Sequence, residues 1–209
     1  MPFLKLDLHV HTEGSPDAHT RIKDLPRIVR GKNLDGVAIT EHDHFSATSS
    51  DEIIILPGLE VSSAEGHIVA IGVQEIVPKG LPADRTIKEI HDKGGLAIIP
   101  HPYDPVCKCV RISRLQNRPD AVETRNADAL SFTISNYLAR RDAHKFHLPE
   151  VGGSDAHIPE SIGDCYTVVD SASREVGDIL AAIKFGRAHP EGHATSIMNK
   201  WRKLSYKFR

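Results

Sequence analysis

Short, almost continuous runs of apolar residues constrain the fold of this chain more than any other feature of its sequence. These runs have the length of β-strands and are rich in β-branched side chains. They cover residues 4–10, 36–40, 53–56, 67–73, 96–99, 121–124, 150–152 and 166–169. A strand that is apolar on both sides has to be buried on both sides, as in a parallel sheet covered by helices. The runs therefore predict a parallel sheet.

Helical segments separate several of the predicted strands. Asp24 can cap a helix that runs to Arg30, with Pro26 in its first turn. Further helices are predicted within residues 85–93, 132–145 and 173–186. Alternating strands and helices indicate an α/β fold whose sheet is open or closed into a barrel. Because no internal repeat and no long linker interrupts this alternation, we expect a single domain over residues 1–196.

The C-terminal segment 197–209 has a different composition, with five basic residues and no acidic residue. The apolar residues that share one helical face are Ile197, Trp201, Leu204 and Phe208. We expect a terminal helix that packs Trp201 on the main domain and leaves its charges in water. The alternative is a basic patch that binds a partner or a polynucleotide.

The composition of the 209-residue chain is ordinary for a globular protein, and its net charge of −2 gives no support for a membrane or nucleic-acid partner of the main domain. No apolar run approaches the roughly 18–20 residues of a membrane span. The N-terminus has no signal-peptide pattern and the three cysteines cannot all pair, so we expect a cytoplasmic protein. Cys107 and Cys109 are interpreted as an incidental loop pair, because no second cysteine pair accompanies them.

Histidine is the unusual component of the sequence, with 13 residues, and imidazole is a common ligand of transition metals. His9 and His11 are two positions apart on the first predicted strand. Because side chains alternate along a strand, both imidazoles point to the same face. Further histidines and carboxylates adjoin later strands, in segments 40–44, 58–60, 66–67, 100–102 and 153–157. Ligands collect at the carboxyl ends of parallel strands. Burying so many polar groups unpaired would be costly, so the pattern predicts a metal site.

Five ordered motifs resemble those of the PHP (polymerase and histidinol phosphatase) family across nearly the whole chain. They are Asp7-Leu8-His9-Val10-His11-Thr12, Ile39-Thr40-Glu41-His42-Asp43, Gly58-Leu59-Glu60-Val61, His67 together with His101-Pro102, and Gly153-Ser154-Asp155-Ala156-His157. One such motif is weak evidence, but the full set in this order is specific. The resemblance implies a distorted (β/α)7 barrel, which agrees with the alternation of strands and helices.

The resemblance also implies a site for three metal ions with nine ligands. The first ion would be bound by His9, His11, Glu60 and Asp155, the second by Glu60, His67 and His101, and the third by Asp17, His42 and His157. The spacing of Asp17 differs by one residue from that of many relatives, and His19 is close enough to replace it. Glu41 stands where many relatives have Asp, in a position that supports the ligands. Mixed imidazole and carboxylate ligands favour Zn, Mn or Fe over Mg or Ca.

Such a site is suited to the hydrolysis of a phosphate ester, because divalent ions lower the pKa of bound water from 15.7 to about 7. The predicted catalytic residues are Asp43, Glu60 and Asp155, with Asp43 as a candidate proton donor to the leaving group. Asp7 and Asp43 are also candidates for orienting the ligand imidazoles. The candidate phosphate-binding residues, each near a ligand segment or a strand end, are Arg21, Arg114 and Arg125.

The leading functional hypothesis is a metal-dependent hydrolase acting on a small phosphomonoester, such as a nucleotide or an amino-alcohol phosphate. The alternative is a nuclease or phosphodiesterase acting on short oligonucleotides, and the basic segment 197–209 is its specific support. The complete ligand set disfavours a non-catalytic metal-binding module. An amidohydrolase-type enzyme is disfavoured because no lysine occupies the end of a central predicted strand, where such enzymes need a bridging lysine.

Overall fold

The computed structural model describes residues 3–206. The strands are β1 (Phe3–Val10), β2 (Gly36–Ile39), β3 (Ile54–Ser62), β4 (His67–Ile71), β5 (Leu96–Ile99), β6 (Ala121–Asn126), β7 (Glu150–Gly153), β8 (Cys165–Asp170) and β9 (Ala188–Gly192). The α-helices are α1 (Leu25–Gly31), α2 (Ala83–Asp92), α3 (Phe132–Lys145), α4 (Val176–Lys184) and α5 (Ile197–Tyr206). Within the described part of the chain, every helix is too short or too polar to span a membrane.

The strands form one sheet that is nearly closed into a barrel, which confirms the predicted α/β barrel. Their order is β7-β6-β5-β4-β3-β2-β1-β8-β9. β1, β2 and β3 are parallel to one another, as are β5, β6 and β7. β4 is antiparallel to both of its neighbours, and β8 and β9 form an antiparallel extension beside β1. The sheet is therefore mixed rather than purely parallel.

The reversed direction of β4 determines the position of His67. Ser62 at the end of β3 is paired with His67 at the start of β4. His67 is the first residue of its strand, yet it lies at the edge where the neighbouring parallel strands end. His67, although it begins its strand, therefore lies at the same edge of the barrel as the histidines that follow the ends of parallel strands.

The barrel closes where the chain after β7 meets the end of β1. The amide of Asp155 donates to the carbonyl of His9 at 2.8 Å, and the amide of His11 donates to the carbonyl of Ala156 at 2.9 Å. Val10 forms a parallel bridge with Ala156. Two segments with predicted ligands are thus hydrogen-bonded neighbours at this junction.

Apolar side chains fill the remainder of the barrel. Leu6 and Leu56 pack with Ile179 of α4 in one buried cluster, whereas Val10 packs outward with Leu25 of α1 in another. The pairing of β1 with β2 has a register shift before Val10. Because side chains alternate along a strand, the two histidines that flank Val10 face the interior.

Two strands differ from their sequence predictions. β3 continues beyond residue 56 through Pro57 and Gly58, and a Cβ on Gly58 would lie 2.5 Å from the carbonyl oxygen of Ala70. β9 has no counterpart among the predicted strands, because most of its residues are half-exposed and they do not form an apolar run. In the C-terminal segment, α5 ends at Tyr206, and residues 207–209, which include Phe208, lie outside the described part.

Candidate metal centre

The nine predicted ligands come together at the polar edge of the barrel. Three overlapping groups each place their ligand atoms within 4.8 Å of one another: His9, His11 and Glu60; Glu60, His67 and His101; and His11, His42 and His157. The remaining two, Asp17 and Asp155, contact members of these groups. We call the nine residues the ligand cluster.

Glu60 lies at the centre of the ligand cluster and is 1% exposed. Its Oε1 is 3.1 Å from Nδ1 of His67 and 3.1 Å from Nε2 of His101. Its Oε2 is 3.0 Å from Nδ1 of His42 and 3.5 Å from Nε2 of His11. One carboxylate thus faces imidazoles from four separate segments, which is the arrangement of a bridging ligand.

Asp155 contacts the two histidines of β1. Its Oδ1 lies 3.6 Å from Nε2 of His9 and 3.4 Å from Nε2 of His11. The hydrogen bond between the Asp155 amide and the His9 carbonyl fixes this approach.

Asp17 lies in the loop after β1, between two other histidines of the cluster. Its carboxylate oxygens are 3.6 Å from Nε2 of His42 and 3.3 Å from Nε2 of His157. The ring of His19 stacks instead on Tyr206, with the ring centroids 4.7 Å apart. The structure therefore brings Asp17, rather than His19, into contact with these imidazoles.

The polar atoms of the cluster fit shared metal ions better than they fit hydrogen bonds. Within residues 3–206, the buried ligand atoms without a hydrogen-bond partner are Nε2 of His9, Nε2 of His11, Oδ1 of Asp17 and Nδ1 of His67. Leaving such atoms unpaired is costly. Two ligands of one tetrahedral ion, each about 2.1 Å from it, are about 3.4 Å apart. The imidazole–carboxylate distances at these atoms are 3.1–3.6 Å, so the residues fit divalent metal ions.

Two residues of the cluster have left-handed backbone conformations, with φ of +31° at His101 and +55° at Asp155. Such conformations cost roughly 1–3 kcal/mol in residues other than glycine and are typical of functional sites. A carboxylate of β6 holds one of them, because Glu123 Oε2 accepts from the His101 amide at 2.7 Å. The surrounding structure thus holds both residues in place at the strand ends.

Glu123 is a supporting residue that the sequence patterns did not identify. Its Oε1 is 3.2 Å from Nδ1 of His9, and its Oε2 accepts from Nδ2 of Asn126 at 2.8 Å. Because His9 turns Nε2 toward the cluster, Glu123 orients the ring through the other nitrogen, as carboxylates commonly do behind metal-binding histidines. The available signal was an acidic residue inside an otherwise apolar predicted strand.

A second support lies behind His11. The Ser15 hydroxyl is 3.2 Å from Nδ1 of His11 and donates to Glu41 at 2.5 Å. Glu41 also accepts from the amide of Thr12 at 3.0 Å. The fully buried Glu41 therefore fixes the loop after β1 and, through Ser15, the ring of His11.

The buried carboxylates of the cluster stay ionised. Burial alone raises the pKa of a carboxyl group. In Glu60 and Asp155 the charge of His9 and hydrogen bonds from other imidazoles outweigh burial, so both pKa values lie well below their usual range. At neutral pH these residues are charged, as metal ligands have to be.

Two histidines of the cluster differ in their protonation. Burial, reinforced by the charge of His157, lowers the pKa of His11 to about 3. Burial also acts to lower the pKa of His42, but hydrogen bonds to Asp17 and Glu60 outweigh it and raise that pKa to about 10. At neutral pH His11 is therefore ready to bind a metal, whereas His42 first has to lose a proton.

The structure gives Asp7 and Asp43 different roles from the predicted orientation of imidazoles. Asp7 is fully buried, which raises its pKa to about 6, and it accepts from the amides of Ser154 and Gly163 at 2.9 and 2.8 Å. Asp43 accepts from the amide of Ser62 at 2.7 Å and lies 3.8 Å from Lys79. Both carboxylates anchor backbone segments, and these contacts of Asp43 do not place it as a proton donor.

The three predicted phosphate-binding arginines lie outside the ligand cluster. Arg21 is 58% exposed and pairs with Asp24. Arg114 lines a separate surface cavity of about 460 Å³. Arg125 donates to the carbonyl of Gly192 at 2.7 Å, because a register shift between Glu123 and Arg125 interrupts the alternation of β6. Their positions do not support the predicted contact with phosphate.

The helix α5 meets the ligand cluster with its basic side. Lys203 Nζ is 2.7 Å from Oδ2 of Asp128 and 3.1 Å from Nδ1 of His157. Lys200 donates to the carbonyl of Asp128 at 2.9 Å. Trp201 is 68% exposed, so the expectation that it packs on the barrel is wrong. The lysines find oxygen acceptors at the barrel edge, and the apolar side of α5 is turned outward.

The loop with Cys107 and Cys109 borders His101. The Cys109 sulfur is 3.1 Å from the carbonyl oxygen of His101 and 3.9 Å from its Nδ1. Burial raises the pKa of the Cys107 thiol. Within the described residues, neither cysteine belongs to a group with metal-ligand spacing.

Sequence comparisons connect the chain to known proteins. The sequence model of a family described as PHP-associated matches residues 133–188. An uncharacterized protein of Methanocaldococcus jannaschii is 32% identical over 141 residues, which are 59% of this chain and 82% of that protein.

Solved structures share the fold. PsfC from Pseudomonas syringae has a TM-score of 0.76 and 18% identity, over 100% of this chain and 99% of that chain. A two-domain protein from Bacteroides vulgatus that contains a predicted PHP-like metal-dependent phosphoesterase has a TM-score of 0.69 and 18% identity, over 99% of this chain and 70% of that chain. A lesion-specific endonuclease from Pyrococcus furiosus has a TM-score of 0.67 and 16% identity, over 90% of this chain and 58% of that chain. At these identities the likeness concerns the fold.

Proposed function

Because this chain belongs to the PHP family of metal-dependent phosphoesterases, we propose that it hydrolyses the phosphomonoester of a small molecule, such as a nucleotide or an amino-alcohol phosphate. The observation that carries the proposal is the ligand cluster. Its imidazole and carboxylate atoms lie at separations suited to shared ions, and four of the buried ones lack hydrogen-bond partners among the described residues.

We assign the nine residues to three ions of Zn, Mn or Fe. The first would be held by His9, His11, Glu60 and Asp155, the second by Glu60, His67 and His101, and the third by Asp17, His42 and His157. Mixed nitrogen and oxygen donors favour these metals over Mg and Ca. When bound, such ions lower the pKa of water to about 7 and neutralise charge on phosphoryl oxygens.

The chain's own residues set the direction from which substrate approaches. The side chains of Asp17, His42 and His67 are 36%, 26% and 24% exposed, whereas those of His9 and Glu60 are 1% exposed. A phosphoryl group therefore reaches the cluster from the side of the exposed ligands. Because Glu60 stays ionised, it acts as a ligand rather than as a source of protons.

Hydrolysis of two chromogenic esters tests the proposal. Protein reconstituted with Mn or Zn should release p-nitrophenol from p-nitrophenyl phosphate faster than from the bis ester. Metal content has to be measured on the same sample. A protein that binds at least two equivalents of metal but hydrolyses neither ester would be a non-catalytic metal-binding module.

A nuclease acting on short oligonucleotides is the second candidate. It is favoured by α5, which brings Lys203 to the cluster and exposes Arg202 beside it, since lysine and arginine contact nucleic-acid backbones. An endonuclease among the structures of similar fold acts on lesions. Cleavage of an end-labelled single-stranded oligonucleotide at a higher rate than the phosphomonoester would make this candidate the better one.

A further inference from the structure

We propose that Lys203 of α5 is a phosphoryl-binding residue, so that the C-terminal helix forms part of the active site. This inference rests on the proposed function and deepens it by assigning a cation that contacts the substrate phosphate. Among the lysines and arginines within residues 3–206, Lys203 is the one whose side chain the structure shows in contact with the side chain of a predicted metal ligand.

Lys203 is held at the cluster from two directions. Its side chain is 23% exposed, and Nζ is 2.7 Å from the carboxylate of Asp128. Nζ is also 3.1 Å from Nδ1 of His157, whose Nε2 faces Asp17 at 3.3 Å. The ammonium group is therefore separated by one imidazole ring from the side of His157 that binds a metal.

The tautomer of His157 decides what Lys203 can bind. A histidine that ligates through Nε2 carries its proton on Nδ1, and the carbonyl oxygen of Asp155 lies 2.9 Å from that nitrogen to accept it. Nδ1 then has no lone pair for Lys203. An ammonium group has three N–H donors, and of the partners named here Asp128 engages one, so the others can take a further acceptor. A phosphoryl oxygen supplies a charged one.

Lys203 is the candidate cation that remains at the cluster. The predicted arginines Arg21 and Arg125 are engaged elsewhere, with Asp24 and Gly192. Lys203 also lies outside residues 133–188, which match the PHP-associated family. It is thus a feature of this chain that the family match does not assign.

The experiment measures binding of inorganic phosphate to manganese-loaded full-length protein by calorimetry. In Lys203→Met the dissociation constant should rise about 10–100-fold, because one charged hydrogen bond is lost. Lys203→Arg should restore most of the affinity. The matched control is Lys200→Met, which removes a neighbouring lysine that binds the backbone carbonyls of Asp128 and Ala129. This control should bind phosphate like the wild type, and all variants should retain their metal.

Thermal unfolding separates a binding role from a structural one. If Lys203 only fastens α5, then Lys203→Met and Lys200→Met will weaken phosphate binding equally and lower the unfolding midpoint together, which would overturn the inference. Unchanged phosphate affinity in Lys203→Met would also overturn it. Metal-loaded wild-type protein that binds no phosphate would count against both the inference and the proposed function. If phosphate binds through Lys203 but no ester is hydrolysed, the proposed function alone fails.

Discussion

The ligand cluster has a buried part and a rim part, and the two are held by different means. The rim ligands, Asp17, His42 and His67, have side chains 24–36% exposed. The other six ligands, which we call the buried ligands, are His9, His11, Glu60, His101, Asp155 and His157, with side chains at most 11% exposed. The rim ligands come from loops or from the first residue of a strand.

The difference shows which ligands the protein positions before a metal arrives. Behind His9 lies Glu123, and behind His11 lies Ser15, so both rings are oriented by residues that are not ligands. In His42, by contrast, one ring nitrogen faces Glu60 and the other faces Asp17, both of which are ligands themselves. We therefore expect the first ion, whose four ligands are all buried, to be held firmly, and the third ion, which has two rim ligands, to exchange more readily.

Replacing the ligand that joins the two parts should have the largest effect. In Glu60→Gln the neutral amide cannot bridge ions, so we expect most metal to be lost and ester hydrolysis to fall at least about 10³-fold. Elemental analysis after reconstitution and the initial rate measure both changes. Glu52→Gln is the control, because Glu52 is 54% exposed and pairs with Arg30 at the surface. Retention of the full metal content in Glu60→Gln would contradict the bridging role.

Replacing a rim ligand should remove only part of the bound metal and part of the activity. Asp17→Asn weakens the contacts with His42 and His157, and we expect the loss of about one equivalent of metal and a fall in rate of about 10²-fold. The first and second ions, which Asp17 does not bind in our assignment, should stay bound. If Asp17→Asn loses as much metal as Glu60→Gln, the two parts are not independent.

Removing the support behind a buried ligand should have a smaller effect. Glu123→Gln deprives the ring of His9 of its charged partner, and such changes typically reduce metal affinity about 10–100-fold. A chelator competition assay measures the affinity. Glu150→Gln on the neighbouring strand is the control, since Glu150 binds Thr124 and His144 rather than a ligand. Equal losses in both variants would mean that Glu123 does not act through His9.

The pH dependence should reveal the proton that His42 loses when metal binds. The pKa values of His9 and His101 also lie well above the usual range, because charges of neighbouring carboxylates and hydrogen bonds outweigh burial. These two buried ligands therefore add the same pH dependence to the wild type and to a His42 variant. The raised pKa of His42, about 10, means that the ring is protonated at neutral pH and that metal binding displaces this proton. Affinity should therefore rise with pH below about 10, by about tenfold per unit for each displaced proton. His11, whose pKa is about 3, adds no such dependence at neutral pH. Between pH 6 and 8, His42→Asn should have a flatter affinity profile than the wild type, and identical slopes would rule out this role.

Sequence alone predicted the features that depend on neighbours in the chain. The shared face of His9 and His11 and the position of ligand segments at strand ends follow from local sequence patterns. Contacts between distant segments could not be predicted from such patterns. Glu123 is 114 positions from His9, and Lys203 is 46 positions from His157, so only tertiary packing brings them together. The outward position of Arg125 depends on a register shift in β6, which no residue pattern signals.

The junction that closes the barrel lets bound ions link β1 to the segment after β7. Ser154 and His9, which meet there, are 145 positions apart, and ligands lie on both sides of the junction. In the chain-entropy model, a cross-link around a loop of this length removes about 5 kcal/mol of conformational entropy from the unfolded chain. Because ions that bind only the folded chain stabilise it, heat resistance should follow metal supply. A cell short of metal would then hold less of the protein, as well as less active protein.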